Sequence, residues 1–288
     1  MNIMQTPYIS IIQAGLVILL FFVIVSLYGF YTAVRPPKIH SSFTPADFGL
    51  NFETVALKTK DAVKIKGWFI SQENSDKIII ALHGYPADKG DILPSLVFLH
   101  QDFNLLFFDF RYFGASDGLY STAGAREIYD LLAAVEFAKE RGFTKIGIWG
   151  FSMGGAVALM GASKTLEIKA VVSDSSYASL SLLAKEPYRN LAFLKYPLAF
   201  FTKVFARIFL GISIDEVSPA EKVKGVKIPI LLIHSSDDKV IPFSHALLLK
   251  EALKDNPNAE FWFQEEIRHG EFQKEYETRI REFFQKNL

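Results

Sequence analysis

The first long pattern along the chain is apolar. From Met1 to Val34 there is no Asp, Glu, Lys or Arg. Within it, Ile9 to Tyr31 is dominated by Ile, Leu, Val and Phe, and Gln13 is the only strongly polar interruption. As a helix this run is roughly 35 Å long, enough to cross a bilayer. Each of those four residue types contributes roughly −0.3 to −0.6 kcal/mol at mid-membrane, so about a dozen of them outweigh one Gln. A secretory signal peptide would carry a basic leading segment and a shorter apolar core, whereas Met1 to Pro7 holds no basic side chain. Residues 1–34 are therefore expected to form an uncleaved, single-pass anchor in the lipid bilayer. Arg35 and Lys38 follow at once, and the other flank has no positive side chain. The excess of basic residues on one side puts the remainder of the chain in the cytoplasm.

Arg35 to Leu50 carries Pro36-Pro37 and Ser41-Ser42 and no periodicity, as a short stalk would, over residues 35–50. Beyond it the polarity begins to alternate. Thr54–Leu57 and Val63–Ile70 read as strands, with a turn around Lys60-Asp61. Lys77–Leu82, Asn104–Phe108 and Lys145–Gly150 are continuous apolar runs of the buried-strand type. Arg126–Arg141 has helical spacing, with Ile128, Leu131, Leu132, Val135, Phe137 and Ala138 apolar. Ala156–Met160 is helical, Ala170–Val172, Ile228–Ile233 and Glu260–Phe263 are strand-like, and Phe272–Phe284 closes as a helix. Strands alternating with helices imply an α/β domain over 51–288, with a mostly parallel sheet covered on both faces.

Between Val172 and Ile228 lies an insertion of roughly forty residues, about 179–218, expected as a small helical lid. Tyr196 precedes Pro197, so a new helix starts there with proline in its first turn. Leu198, Phe201, Val204, Phe205 and Ile208 fall on one of its faces, and Lys203 and Arg207 on another. That pattern suits a helix lying on a membrane surface or gating an acyl pocket, and also one packed on the domain. Phe201 and Phe205 are the expected substrate-facing side chains.

Composition narrows the field. The chain of 288 residues is half hydrophobic, with 27 Phe, and its mean hydropathy of +0.20 is high for a soluble protein. Lys+Arg and Asp+Glu are 31 each, which points to neither nucleic acid nor an acidic partner. Zero cysteines exclude disulfides, a thiol nucleophile and Cys-based metal sites.

The chemistry centres on Gly150-Phe151-Ser152-Met153-Gly154-Gly155, between an apolar strand and a helical pattern. In such a Gly-x-Ser-x-Gly turn the apex residue is strained, and its neighbours two before and two after must be small. The turn lifts the Ser152 hydroxyl to a helix N-terminus, where free N–H groups favour a developing oxyanion. Serine needs a base, and the base a carboxylate. After the strand Ile228–Ile233 come Asp237 and Asp238, and after the preceding strand Asp174; position alone leaves all three open as the acid. The expected base is His269, in the loop after the last short strand. Of the other histidines, His40 lies in the stalk, His83 and His234 end strands, and His245 lies on a helix, so only His100 is, like His269, otherwise placed. The chain order of serine, acid and histidine is that of nucleophile-elbow hydrolases. The expected oxyanion donors are the backbone N–H groups of Tyr85, after Gly84 in the loop following Leu82, and of Met153.

From Asn51 onward the chain resembles the α/β-hydrolase superfamily. It is most similar to the membrane-anchored, single-domain serine hydrolases of the α/β-hydrolase-domain-containing and acyl-protein-thioesterase-like group. The resemblance rests on Gly67-Trp68-Phe69, His83-Gly84, Phe108 to Gly118, Gly150 to Gly155, Asp174 to Tyr177, and the Asp238 and His269 loops. Aligned on Pro242, it implies that Asp238 is the acid. It implies structural roles for Arg111 and Asp117. His83-Gly84 here leads into Tyr85-Pro86-Ala87-Asp88 rather than the family's Asn-Ala-Gly-Asn, and Ser235 follows His234 where Gly is usual.

The expectation is a membrane-anchored serine hydrolase of esters or thioesters, acting on lipid-like or acylated substrates by a Ser152–His269–Asp238 triad that needs no cofactor and no metal. Two alternatives remain. A peptidase of the prolyl-oligopeptidase type shares the triad order but usually brings a propeller domain, absent from this sequence. A non-catalytic, membrane-tethered binding module on a hydrolase scaffold usually lacks a triad residue. The sequence does not give the oligomeric state. For topology, a reporter fused after Leu288 is expected to be protected from protease added to intact cells and lost once they are opened. Digestion from outside intact cells would overturn the cytoplasmic placement.

Overall fold

A computed structural model describes residues 6–73 and 75–288, with side chains from Ile11 onward. Met1–Gln5, most of the leading segment Met1 to Pro7 weighed against a signal peptide, lies outside the described residues. The apolar run forms one helix, α1 (Thr6–Val34), and its stretch Ile11–Val34 contains an 18-residue window with a mean hydropathy of 2.6.

The strands are β1 (Glu53–Lys58), β2 (Lys64–Ile70), β3 (Lys77–Leu82), β4 (Asn104–Phe108), β5 (Lys145–Phe151), β6 (Ile168–Asp174), β7 (Ile230–Ser235) and β8 (Ala259–Gln264). They form one sheet in the order β1-β2-β4-β3-β5-β6-β7-β8. β1 and β2 are antiparallel to their neighbours, and every pairing from β4 to β8 is parallel. The remaining helices are α2 (Lys89–Ile92), α3 (Glu127–Glu140), α4 (Met153–Ala162), α5 (Leu180–Leu183), α6 (Lys195–Phe205), α7 (Pro219–Lys222), α8 (Phe243–Ala252) and α9 (Tyr276–Asn287).

Successive strand residues point to opposite faces, and both faces are buried. Ile80, Phe108, Ile148 and Leu232 join α3, α4 and α8 in one core. Their neighbours Ile79, Phe107, Trp149 and Leu231 join α9 in the other. This explains why the central strands are continuously apolar. β7 begins two residues later than expected, since Pro229 has no N–H for a ladder. α9 begins at Tyr276 rather than Phe272, because the Phe272 ring is held 4.4 Å from the Tyr276 ring outside the helix.

The loop after β4 is fixed by buried charges. Arg111 donates to Asp130 through Nε and Nη2, and to Asp61 through Nη1 and Nη2, at 2.6 to 3.2 Å. Asp109 accepts from Lys89 Nζ at 2.6 Å and from the Lys89 and Ala115 N–H groups. These bonds agree with the structural role expected for Arg111.

The lower part of α1 is docked on the domain. Ser26 Oγ donates to Leu198 O, and the Phe30 ring lies 6.1 Å from those of Phe205 and Phe209. Tyr85 Oη donates to Ala33 O, the Ser121 N–H to Val34 O, and Arg35 Nε to Leu119 O. The segment expected as a stalk also lies along the domain. Tyr112 Oη donates to Pro36 O, the Ser41 N–H donates to Asp88, and Pro36 and Pro45 are buried.

Arg111→Ala would leave Asp130 buried without its cation, so it is expected to destabilise the domain by roughly 3–5 kcal/mol. The denaturant midpoint measures this. A loss below about 1 kcal/mol would mean that the ion-pair cluster does not hold this loop.

Candidate active site

The turn at Ser152 has no room for side chains beside it. β5 ends at Phe151 and α4 begins at Met153, so Ser152 alone reverses the chain. Its φ of 54° and ψ of −114° are strained for a residue with a side chain, and its N–H is fixed to Asp174 O at 2.8 Å. A Cβ on Gly150 would sit 2.3 Å from Gly154 O, and one on Gly154 would sit 2.3 Å from Leu82 O. The spacing expected from sequence is thus a steric requirement. Ser152 stands at the N-terminus of α4, at the carboxyl edge of the parallel strands.

Each neighbouring strand delivers one further piece to that edge. After β3, Gly84 passes so near that a Cβ there would lie 3.3 Å from Ser152 Cβ and 2.9 Å from the Phe151 ring. This brings the Gly84–Tyr85 backbone alongside Ser152, where a second donor was expected, while Met153 begins the helix. After β7, Asp238 is buried. Its Oδ1 accepts the N–H groups of Val240 and Ile241, each at 2.8 Å. Its Oδ2 accepts from His269 Nδ1 at 2.7 Å. Burial alone would raise the Asp238 carboxyl, but the His269 bond and the two N–H donors outweigh it and hold the group below the usual carboxylate range. After β8, His269 turns its ring to 4.7 Å from that of Phe151, and the Asp238 bond uses Nδ1 and leaves Nε2 free of it. No hydrogen bond joins the Ser152 hydroxyl to His269 in this arrangement, as is common before a substrate tightens such sites.

The other two acid candidates are engaged elsewhere. Asp237 is half exposed and accepts the Glu266 N–H at 2.9 Å, tying the Asp238 loop to the His269 loop. Asp174 ends β6, fully enclosed, and accepts from Tyr276 Oη at 2.7 Å and Ser175 Oγ at 2.9 Å. Tyr276 Oη in turn accepts from Trp149 Nε1. Burial pushes the Asp174 carboxyl up to about 6, against those two donors.

Sequence reasoning missed several contributors. His234 Nε2 donates to Ile241 O at 2.8 Å, anchoring the loop that presents Asp238 four residues later. His83 Nδ1 donates to Gly84 O while its Nε2 accepts the Phe110 N–H, which fixes the loop before Tyr85. His245 Nδ1 accepts the Ala178 N–H. Burial lowers the pKa of all three, that of His245 to about 4, so they stay neutral and act as single-tautomer spacers. Glu127 accepts from Ser121 Oγ, Thr122 Oγ1 and the N–H groups of Thr122 and Gly124, holding a loop that faces Ser152. The i to i+4 pairing of His234 with Asp238 was the one signal visible beforehand.

In front of Ser152 opens a mainly apolar cleft of about 650 Å³, within the range of small-molecule sites. Phe30, Ala33 and Val34 of α1 form part of its lining, as do Leu180 and Leu183 of α5 and Tyr85 and Met153. The lid helix differs from expectation. From α6 and the turn after it, Thr202, Ala206 and Leu210 face the cleft. Phe201 and Phe205 stack on each other, and Phe205 meets Phe30 of α1. The apolar face inferred for an acyl pocket is used against α1, and Ile208 is exposed.

The sheet order, the strained serine turn and the serine–acid–histidine order define a serine hydrolase of the α/β-hydrolase fold. The chain belongs to the prolyl oligopeptidase family, which matches residues 116–288. The uncharacterized protein YfhR of Escherichia coli O157:H7 is 30% identical over 215 residues, 70% of this chain and 69% of that one. Protein bem46 of Schizosaccharomyces pombe is 26% identical over 217 residues, 72% of this chain and 67% of that one. Among solved structures, the Pyrococcus furiosus esterase Pf2001 superposes with a TM-score of 0.74 at 32% identity, over 88% of this chain and 99% of that one.

Because Asp174 binds its proton more tightly folded than unfolded, its contribution to stability is complete below about pH 4 and lost as the pH rises through 6. A rise from 3.8 to about 6 corresponds to on the order of 3 kcal/mol. Asp174→Asn escapes that loss, so its stability relative to the parent is expected to improve between pH 5 and pH 8 in urea titrations. A difference that does not change with pH would show that Asp174 is already ionised at pH 5.

Proposed function

We propose that the protein is a membrane-anchored hydrolase of carboxylic esters or thioesters with a long acyl chain. The observation that carries this reading is the Asp238–His269 hydrogen bond beside Ser152, at the mouth of an apolar cleft. Ser152 Oγ attacks the carbonyl carbon while His269 Nε2 takes its proton. Asp238 fixes the ring with Nδ1–H toward itself and stabilises the imidazolium that forms. The Tyr85 and Met153 N–H groups receive the oxyanion, and the helix N-terminus adds to the favourable field. His269 then gives the proton to the departing alcohol or thiol, leaving an acyl-enzyme. A water molecule repeats the sequence and releases the acid.

Residues 1–34 serve as the anchor, with 35–50 as a connector laid along the domain and 179–218 as the lid. The domain lies on the cytoplasmic side, following Arg35 and Lys38. Ester cleavage is favoured over peptide cleavage by the apolar cleft and by the likeness to the Pf2001 esterase. The family match favours amide cleavage as the second reading.

The test is labelling by a fluorophosphonate, followed by turnover of acyl esters of graded chain length and of an aminoacyl amide. Ser152→Ala is expected to abolish labelling and lower kcat by roughly a million-fold. Asp238→Asn is expected to cost about ten-thousand-fold by leaving His269 in the wrong tautomer, and Asp237→Asn only a few-fold. Labelling that survives Ser152→Ala would falsify the nucleophile. The reverse ranking of the two aspartates would move the acid. Amide turnover exceeding ester turnover would favour the peptidase.

A further inference from the structure

The position of the lid along α1 has a geometric consequence. Ile9 to Phe21 is apolar but for Ser10 and Gln13, and Ile11 to Phe21 is exposed all round. At 1.5 Å per residue, Ile9–Phe21 extends roughly 20 Å, about 10 Å short of a hydrocarbon core of about 30 Å. With α1 read as a span, the part of α1 below Phe21 supplies further length. That part already carries the lid. Phe22, Ser26, Gly29 and Phe30 recur at helical spacing and are partly or fully covered, Ser26 by Leu198, Gly29 by Tyr188 and Phe30 by Phe205.

α6 runs in the same sense as α1, since Leu198 lies beside Ser26 and Phe205 beside Phe30. Its N-terminal end is therefore the end nearer the bilayer centre. This end carries large exposed rings, with one cation among them, Lys195, whose Nζ lies 5.4 Å from the Tyr196 ring. Phe193 is 75%, Tyr196 62% and Phe200 60% exposed, at spacings of three and four residues. Basic Arg207 is exposed at the opposite end of the lid helix, toward the headgroups, where a cation is favoured. An exposed cluster of large rings is unusual on a surface that meets only water.

We propose that the Phe193–Tyr196–Phe200 face of the lid is embedded in the lipid bilayer beside α1. It forms one lipid-facing unit with the anchor and places the cleft's lid at the membrane surface. The occupant of this face is the acyl-chain region of the lipid. The proposal rests on the reading of α1 as a membrane span, and the experiment separates the two.

The chain has no cysteine, so single cysteines can be labelled with an environment-sensitive nitrobenzoxadiazole dye in the full-length protein. Four positions are compared in phosphatidylcholine vesicles containing nitroxide-bearing lipids: Leu16→Cys on α1, Phe193→Cys and Phe200→Cys on the lid, and Leu166→Cys as reference. Leu166 is 90% exposed and precedes β6, at the sheet edge opposite Ser152. Fluorophosphonate labelling of each variant verifies folding. The expected result is lipid quenching at positions 16, 193 and 200, with iodide in the water quenching only position 166. Lipid quenching at 16 with iodide quenching at 193 and 200 overturns the lid proposal and leaves the anchor standing. Iodide quenching at 16 overturns both. A second arm uses Phe193→Ser with Phe200→Ser. Turnover of an ester dispersed in vesicles is expected to fall at least about fivefold while that of a soluble acetate stays within about twofold, since lost apolar burial weakens interfacial docking. An equal fall on both substrates overturns the proposal.

Discussion

The contact between Gly154 and the carbonyl of Leu82 brings the top of α4 against β3. Backbone meets backbone there, because any side chain at Gly150 or Gly154 would occupy space already filled. Only at that separation can one residue turn a strand into a helix, and Ser152 bears the strain. The strain is held from the other side by β6, whose Asp174 carbonyl accepts the Ser152 N–H. With the turn fixed, the parallel order of β3, β5, β6, β7 and β8 aims their carboxyl ends at one point. The loops that carry Tyr85, Asp238 and His269 need only be short and well tethered.

The tethers are polar groups buried in uncharged form. His83, His234 and His245 are each enclosed, each with a backbone partner, and each kept neutral by burial. A neutral imidazole with one fixed tautomer bridges two loops without the desolvation cost of a charge. The carboxylates divide in the same way. Asp238 is supplied with donors and stays ionised, whereas Asp174 is enclosed among Tyr276, Ser175 and the strand end and holds its proton up to about 6. Below about pH 6 the two carboxyl groups thus take opposite protonation states from their surroundings, and the ionised one is bonded to the histidine.

Most of the sheet was legible because its central strands repeat every two residues and carry apolar side chains on both faces. Lys77–Leu82 and Asn104–Phe108 were placed residue for residue. The Ser152 turn was legible since its glycines answer a steric demand, and His269 since chain order constrains it. Three aspartates were indistinguishable by position, because what separates them is hydrogen bonding across loops some thirty residues apart. The lid was the hardest part. α1 is apolar all round, so its docked stripe of Phe22, Ser26 and Phe30 leaves no periodic trace. Without that stripe, the Phe201–Phe205 face of α6 reads as a pocket wall when it is the seat for α1.

The bond from Tyr85 Oη to Ala33 O bears on how modular the molecule is. A terminal membrane helix is commonly treated as a removable tag. Here, cutting before Arg35 would strip Phe30, Ala33 and Val34 from the cleft wall and take the acceptors from Tyr85 and Ser121. It would also bare the aromatic seat on α6. The boundary between the free and the docked part of this helix therefore lies within α1, near Phe22, and a fragment starting after Val34 would carry an unfinished site.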